Sequence, residues 1–96
     1  MSDPEIVKEV EGSKGRFIYA TEAGDAELTL SILSPALVIA DHTEVPQALE
    51  GQGIGQKLVE ALIADARAEG YRIVPLCPYV NAQRRKHPEW AEFFSV

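Results

Sequence analysis

Gly51, Gly53 and Gly55 stand two residues apart between two runs of different character. Ahead of them, residues 36–40 are apolar and β-branched. Behind them, Ile54, Leu58, Ala61, Leu62 and Ala66 recur at helical spacing. A glycine-rich turn that opens a helix leaves backbone N–H groups without intrahelical partners. The helix dipole adds partial positive charge there, so the turn suits a phosphate group. Glycine lets that group approach the backbone closely. The expected seat comprises Gly51, Gln52, Gly53, Ile54, Gly55 and Gln56. It is not a dinucleotide fingerprint, because Gln56 and Leu58 stand where G-x-G-x-x-G needs glycine. It is not a P-loop, because no Gly-Lys-Ser/Thr follows. The same spacing also fits a strand-to-helix turn that binds nothing.

Other residues with chemistry lie nearby in the chain. Cys77 falls between Leu76 and Pro78, just past a strand. A lone cysteine serves as a small buried apolar residue, or as a nucleophile when a base generates the thiolate. His42 and Glu44 lie two apart at the end of a strand, which predicts that they share a face with Val38 and Ala40. A histidine there is a solvated surface residue or a general base near neutral pH. Glu44 would orient it or hold a cationic substrate. Tyr79 reads as a partly buried aromatic or a proton donor beside Cys77. Asn81 and Arg84 share a helical face. Arg84, Arg85 and Lys86 form a local cationic spot or a solvated helix face. One cysteine and two distant histidines predict no zinc site.

These residues need a scaffold that brings them together. Strands are expected over 6–10, 16–21, 28–32, 37–43 and 71–76. Alternation such as Leu28, Leu30 and Ile32 against Thr29 and Ser31 gives a half-buried strand. A helix over 53–69 would end at Gly70. A short helix is expected over 80–86. A last turn or two follows from Pro88, with His87 ahead of it and Trp90, Phe93 and Phe94 packed on the core. The first four strands read as an antiparallel meander. The helical crossover predicts a fifth strand parallel to the fourth. The glycine turn and Cys77 would then meet across one cleft at the strand ends, where open α/β sheets bind ligands.

The bulk properties set bounds. The 96 residues suit one α/β domain spanning 1–96, with 46% apolar content and a thin core that a ligand or a second chain would support. A monomer or weak homodimer is expected. No apolar run is long enough to span a membrane. Residues 1–5 are polar and acidic, unlike a signal peptide. A single cysteine fits a cytoplasmic protein. The net charge of −6 argues against a nucleic-acid partner and favours a cationic amine.

In order along the chain, 42–46, 51–55, 74–80 and 87–90 resemble segments of the GNAT superfamily of acyl-CoA-dependent N-acetyltransferases. The resemblance is to its short, single-domain YjdJ-like branch and runs from Phe17 to the end. Gly53 and Gly55 match the family loop, while Glu50 stands where Gln or Arg is usual. The resemblance implies a compact GNAT-like mixed sheet whose fourth and fifth strands splay around a pantetheine arm. It implies acetyl-CoA as acyl donor and an amine, such as a protein or peptide lysine, as acceptor. His42 would then be the base, with Glu44 as its support, and Cys77 a covalent acceptor, or a residue that lines the site or protonates the departing CoA thiolate. The Val45 N–H would polarise the carbonyl. Asn81 and Arg84 would contact pantetheine or a CoA phosphate. A non-catalytic acyl-CoA-binding module and a plain interaction domain are the alternatives.

Overall fold

Alternating burial on β2, β3 and β4 builds a sheet with one apolar face. The computed structural model describes residues 6–96, and the polar segment 1–5 lies outside the described residues. Five strands pair in chain order: β1 (Ile6–Glu11), β2 (Lys14–Thr21), β3 (Gly24–Ser34), β4 (Leu37–Glu44) and β5 (Arg72–Pro75). The first four are antiparallel, and β5 lies parallel to β4, as the crossover predicts. Both β2 and β3 run longer than their apolar alternation suggests. Polar flanks such as Lys14 opposite Ser31 and Asp25 opposite Ala20 still continue the ladder. Thr21 closes the second hairpin: its hydroxyl accepts from the Ala23 N–H (3.1 Å) and donates to the Gly24 carbonyl (2.6 Å).

The apolar face carries Phe17, Ala26, Leu28, Leu30, Val38 and Ala40. Against it lies α1 (Ile54–Glu69), which buries Ile54, Leu58, Val59, Leu62, Ile63 and Ala66. That spacing is one helical stripe, so the helix owes its place to packing as much as to propensity. Its C-terminus is closed by Gly70, whose N–H bonds the Ala66 carbonyl at 2.8 Å. Beyond it, the buried Tyr71 hydroxyl donates to Asp65 Oδ2 at 2.7 Å, and Lys8 Nζ meets the same oxygen at 2.7 Å. One carboxylate on α1 thus ties β1 to the residue ahead of β5.

The opposite face is polar. Arg16 reaches Glu9 at 3.0 Å and Glu27 at 3.3 Å across three strands. Lys14 donates to Ser31 at 3.0 Å, and Ser31 donates to Asp41 at 2.6 Å. β1 is an outer edge of the sheet, with Lys8 on the helix side and Glu9 beside Arg16 on the polar side.

Two short helices follow β5, as expected. α2 (Pro78–Lys86) starts two residues earlier than the periodicity suggests, because Pro78 occupies its first turn and the Asn81 N–H bonds the Cys77 carbonyl at 2.9 Å. A 3-10 helix, Pro88–Phe93, then lays Phe93 into the core. Phe94 is buried too, where the chain runs briefly beside Ile73 in β5. Trp90 is half-buried and stacks on His87, with ring centroids 4.0 Å apart.

Candidate functional site

The end of β4 departs from simple alternation. Leu30 pairs with Ala40 and Thr29 pairs with His42, so Asp41 is an extra residue in β4. This bulge moves every later side chain to the other face. His42 and Glu44 therefore do not share the face of Val38 and Ala40, which corrects the sequence reading. They lie exposed on the polar face, opposite Thr29 and Glu27. Thr43 takes the inward position instead, opposite the buried Leu28. Its Oγ1 lies 3.4 Å from Cys77 Sγ, and either atom can donate.

The bulge also decides which backbone groups line the open edge. The Ala36 and Ala40 carbonyls accept from the Arg72 and Cys77 N–H groups, at 2.9 and 2.8 Å. With Asp41 inserted, that alternation continues to Thr43. β5 has ended by then. Its last pair is Ala40 with Pro75, and the Leu76 N–H turns back to the Val74 carbonyl at 2.9 Å. β4 thus runs on to Glu44 while β5 gives way to α2, and a gap opens between them.

The glycine turn faces this gap. A 3-10 helix, Gln47–Leu49, carries the chain from β4 into the turn. Gly53 is the N-cap of α1 at φ 73°, a left-handed conformation that favours glycine. A Cβ on Gly51 or Gly53 would meet no other atom within 4 Å, so the space above both is open. The first intrahelical bond runs from the Lys57 N–H to the Gly53 carbonyl at 3.1 Å. The N–H groups of Ile54, Gly55 and Gln56 precede it, and no side chain caps this end. Gly55 has a different reason for being glycine. A Cβ there would lie 2.9 Å from the ring and hydroxyl of Tyr79.

Together these elements enclose a cleft of about 560 Å³. It is lined by His42, Thr43, Glu44 and Val45 on one side, by Leu49, Glu50, Gly51, Gly53, Ile54 and Gly55 on the other, and by Tyr79. Burial pushes the Tyr79 phenol up from its ordinary range, so it stays a protonated donor at neutral pH. Two acids, Glu44 and Glu50, line the cleft, and no lysine or arginine does. Positive potential in it comes from the α1 amides and dipole.

Several sequence candidates lie outside this lining. Gln52 is exposed beside the turn, and Gln56 donates to Glu60 at 3.3 Å along the helix. Cys77 is only 2% exposed. Arg84 donates to Asn81 at 3.0 Å on α2, and the cations at 84–86 sit in its last turn, where they complement the dipole. Nothing local in the sequence singles out Thr43; the signal for it lies in pairing with β3. A larger groove of about 710 Å³ lies on the polar face, among the paired Glu9, Arg16 and Glu27. Among the described residues, no three metal-ligating side chains gather, and no helix is long and apolar enough to cross a membrane.

Comparison with known proteins agrees with this architecture. The family model for GCN5-related N-acetyl-transferases matches residues 16–93. No curated protein matches the chain. The solution NMR structure of a GCN5-like protein from Staphylococcus aureus superposes with a TM-score of 0.68 at 22% identity, over 97% of this chain and 91% of that one. This likeness shows a shared fold. The family match runs from β2 into the last 3-10 helix and takes in every element around the cleft. The chain therefore belongs to the GCN5-related N-acetyltransferase family.

Proposed function

We propose that this protein transfers an acetyl group from acetyl-CoA to an amine, with the donor held between the glycine turn and the free end of β4. One observation carries the reading. Uncapped amides of α1 and the unpaired edge of β4 face each other across a single cleft. The residues present fit the donor. Space is open above Gly51 and Gly53, and the Ile54, Gly55 and Gln56 amides suit a pyrophosphate. Glu50 adds no attraction, so backbone donors carry that contact.

Acetyl-CoA supplies the activated acyl carbonyl as a thioester. The Val45 N–H polarises the carbonyl oxygen. His42 takes a proton from the attacking amine, because an ammonium has no lone pair to offer. Glu44 attracts the amine while it is still cationic. As the N–C bond forms, the C–S bond breaks and its electron pair leaves with sulfur. Direct attack is favoured over an acyl-cysteine route, since a buried Cys77 offers a carbonyl carbon little approach. Asn81 and Arg84, paired on α2, contact the donor outside the cleft. The acceptor class is a cationic amine such as a protein or peptide lysine, in keeping with the net charge of −6, and the site of action is the cytoplasm.

Thermal shift with CoA, acetyl-CoA, NAD and ATP tests the donor. CoA at 100 times its dissociation constant adds about 2.7 kcal/mol of stability. Gly53→Glu should abolish the shift. A response to ATP or NAD without one to CoA would refute the donor site. Acetylation of an amine, slowed by His42→Ala, tests transfer. CoA binding with no turnover on any amine would leave a non-catalytic acyl-CoA-binding module.

A further inference from the structure

We infer that Thr43 is the side chain that meets the sulfur of the donor, and that Cys77 acts through it as a positioning residue. This rests on the donor site proposed above. The Asp41 bulge turns Thr43 inward at the point where β5 has ended, so its hydroxyl lies between the buried seam and the cleft. Cys77 cannot take that place. Its N–H is fixed to the Ala40 carbonyl at 2.8 Å, inside the last rung of the sheet, and its side chain is buried. Its sulfur touches Thr43 Oγ1 at 3.4 Å.

A threonine hydroxyl has one hydrogen to donate and two lone pairs to accept with. The thiol also has one hydrogen. When Cys77 Sγ–H donates to Thr43 Oγ1, the Thr43 hydrogen is released for the cleft. The stiff β-branched side chain then needs no reordering to reach a ligand. When the C–S bond of the donor breaks, the departing sulfur carries the electron pair and receives a hydrogen bond from Thr43. No proton is transferred in that contact; the proton lost by the amine goes to His42.

Calorimetric titration with CoA and desulfo-CoA separates this role from mere packing. The wild type should bind CoA about fivefold more tightly than desulfo-CoA, the worth of one hydrogen bond. Thr43→Val, nearly the same shape, should bind the two ligands equally. Thr43→Ser should restore the preference, and Cys77→Ala should weaken it without abolishing it. In the absence of ligand, Thr43→Val should also change the rate at which iodoacetamide alkylates Cys77. Equal affinities in the wild type, or a preference that survives Thr43→Val, would overturn the assignment and leave the donor site standing. So would an acetyl group found on Cys77 by intact mass after incubation with acetyl-CoA. Failure of both ligands to bind would overturn the donor site as well.

Discussion

Glu44 stands directly opposite Glu27 across the β3–β4 ladder. Like charges in that position destabilise a sheet by about 0.2–1 kcal/mol. Arg16 offsets Glu27 from the far side, at 3.3 Å. The remaining repulsion sits at the lip of the cleft, where a cationic substrate would relieve it. Glu44→Gln should therefore raise the melting temperature by about 2–4 °C, taking about 0.5 kcal/mol in a domain of this size. The same change should raise KM for a cationic amine and leave CoA affinity alone. A lower melting temperature would refute the charge argument. At Gly55 the argument is steric. Gly55→Ala gains helix propensity of up to about 1 kcal/mol but sets a methyl against the Tyr79 ring. The ring has to move, and CoA binding should weaken. Adding Tyr79→Ala removes the clash, so the double variant should melt higher than Tyr79→Ala alone. If Gly55→Ala leaves the CoA-induced shift intact, Tyr79 does not shape the site.

Among the elements, β4 shows what can and cannot be read from one sequence. Leu28 and Leu30 alternate with Thr29 and Ser31 because one face is buried, and that period is visible locally. So are the glycines that bound α1, since a left-handed residue at each end favours glycine. The parity of Val38 and Ala40 would put His42 and Glu44 inward. It fails because Asp41 is inserted by pairing with Leu30 and Thr29, which is a long-range event. The misplaced faces of His42 and Glu44 and the omission of Thr43 share this cause. The place of Cys77 just past β5 is legible in the sequence, but its burial and its contact with Thr43 are long-range. A bulge also bends its strand. Deleting Asp41 should straighten β4, reduce the stabilisation by CoA, and leave the circular dichroism of the fold unchanged. An undiminished CoA shift would refute that role. At the α2 end, His87 Nδ1 lies 2.9 Å from Glu89 and the ring stacks on Trp90. The His87 contact holds the Glu89 carboxyl below its ordinary range. A depressed carboxylate contributes stability above its unfolded pKa and loses it as pH falls through the folded value. The chain has one tryptophan, so its emission should report this junction. The signal should change on acidification below the ordinary carboxylate range, and His87→Ala should flatten that step. An identical acid profile in His87→Ala would exclude the pair as its cause.

For the molecule as a whole, β1 is an outer edge of the sheet among the described residues, and the question is whether copies should adhere there. An exposed edge carries unpaired N–H and C=O groups and is a template for another strand. Two copies joined antiparallel about a two-fold axis keep the same faces up, so each residue meets one of its own parity. Lys8 points to the helix side and Glu9 to the polar side. The two registers that pair most of β1 centre either on Lys8 against Lys8 of a second copy or on Glu9 against Glu9. Both put like side chains at the symmetry axis, and the ties of Lys8 to Asp65 and of Glu9 to Arg16 hold each of them there. Wild-type protein should therefore sediment as a monomer. Glu9→Val should dimerise with rising concentration, because the Glu9-centred register then brings valines together. A monomeric Glu9→Val protein would show that charge is not the barrier. The strand thus carries a palindromic prohibition: on this argument it zips onto its own kind only after a mutation, and the sheet keeps the five strands of the described residues instead of growing into a ribbon.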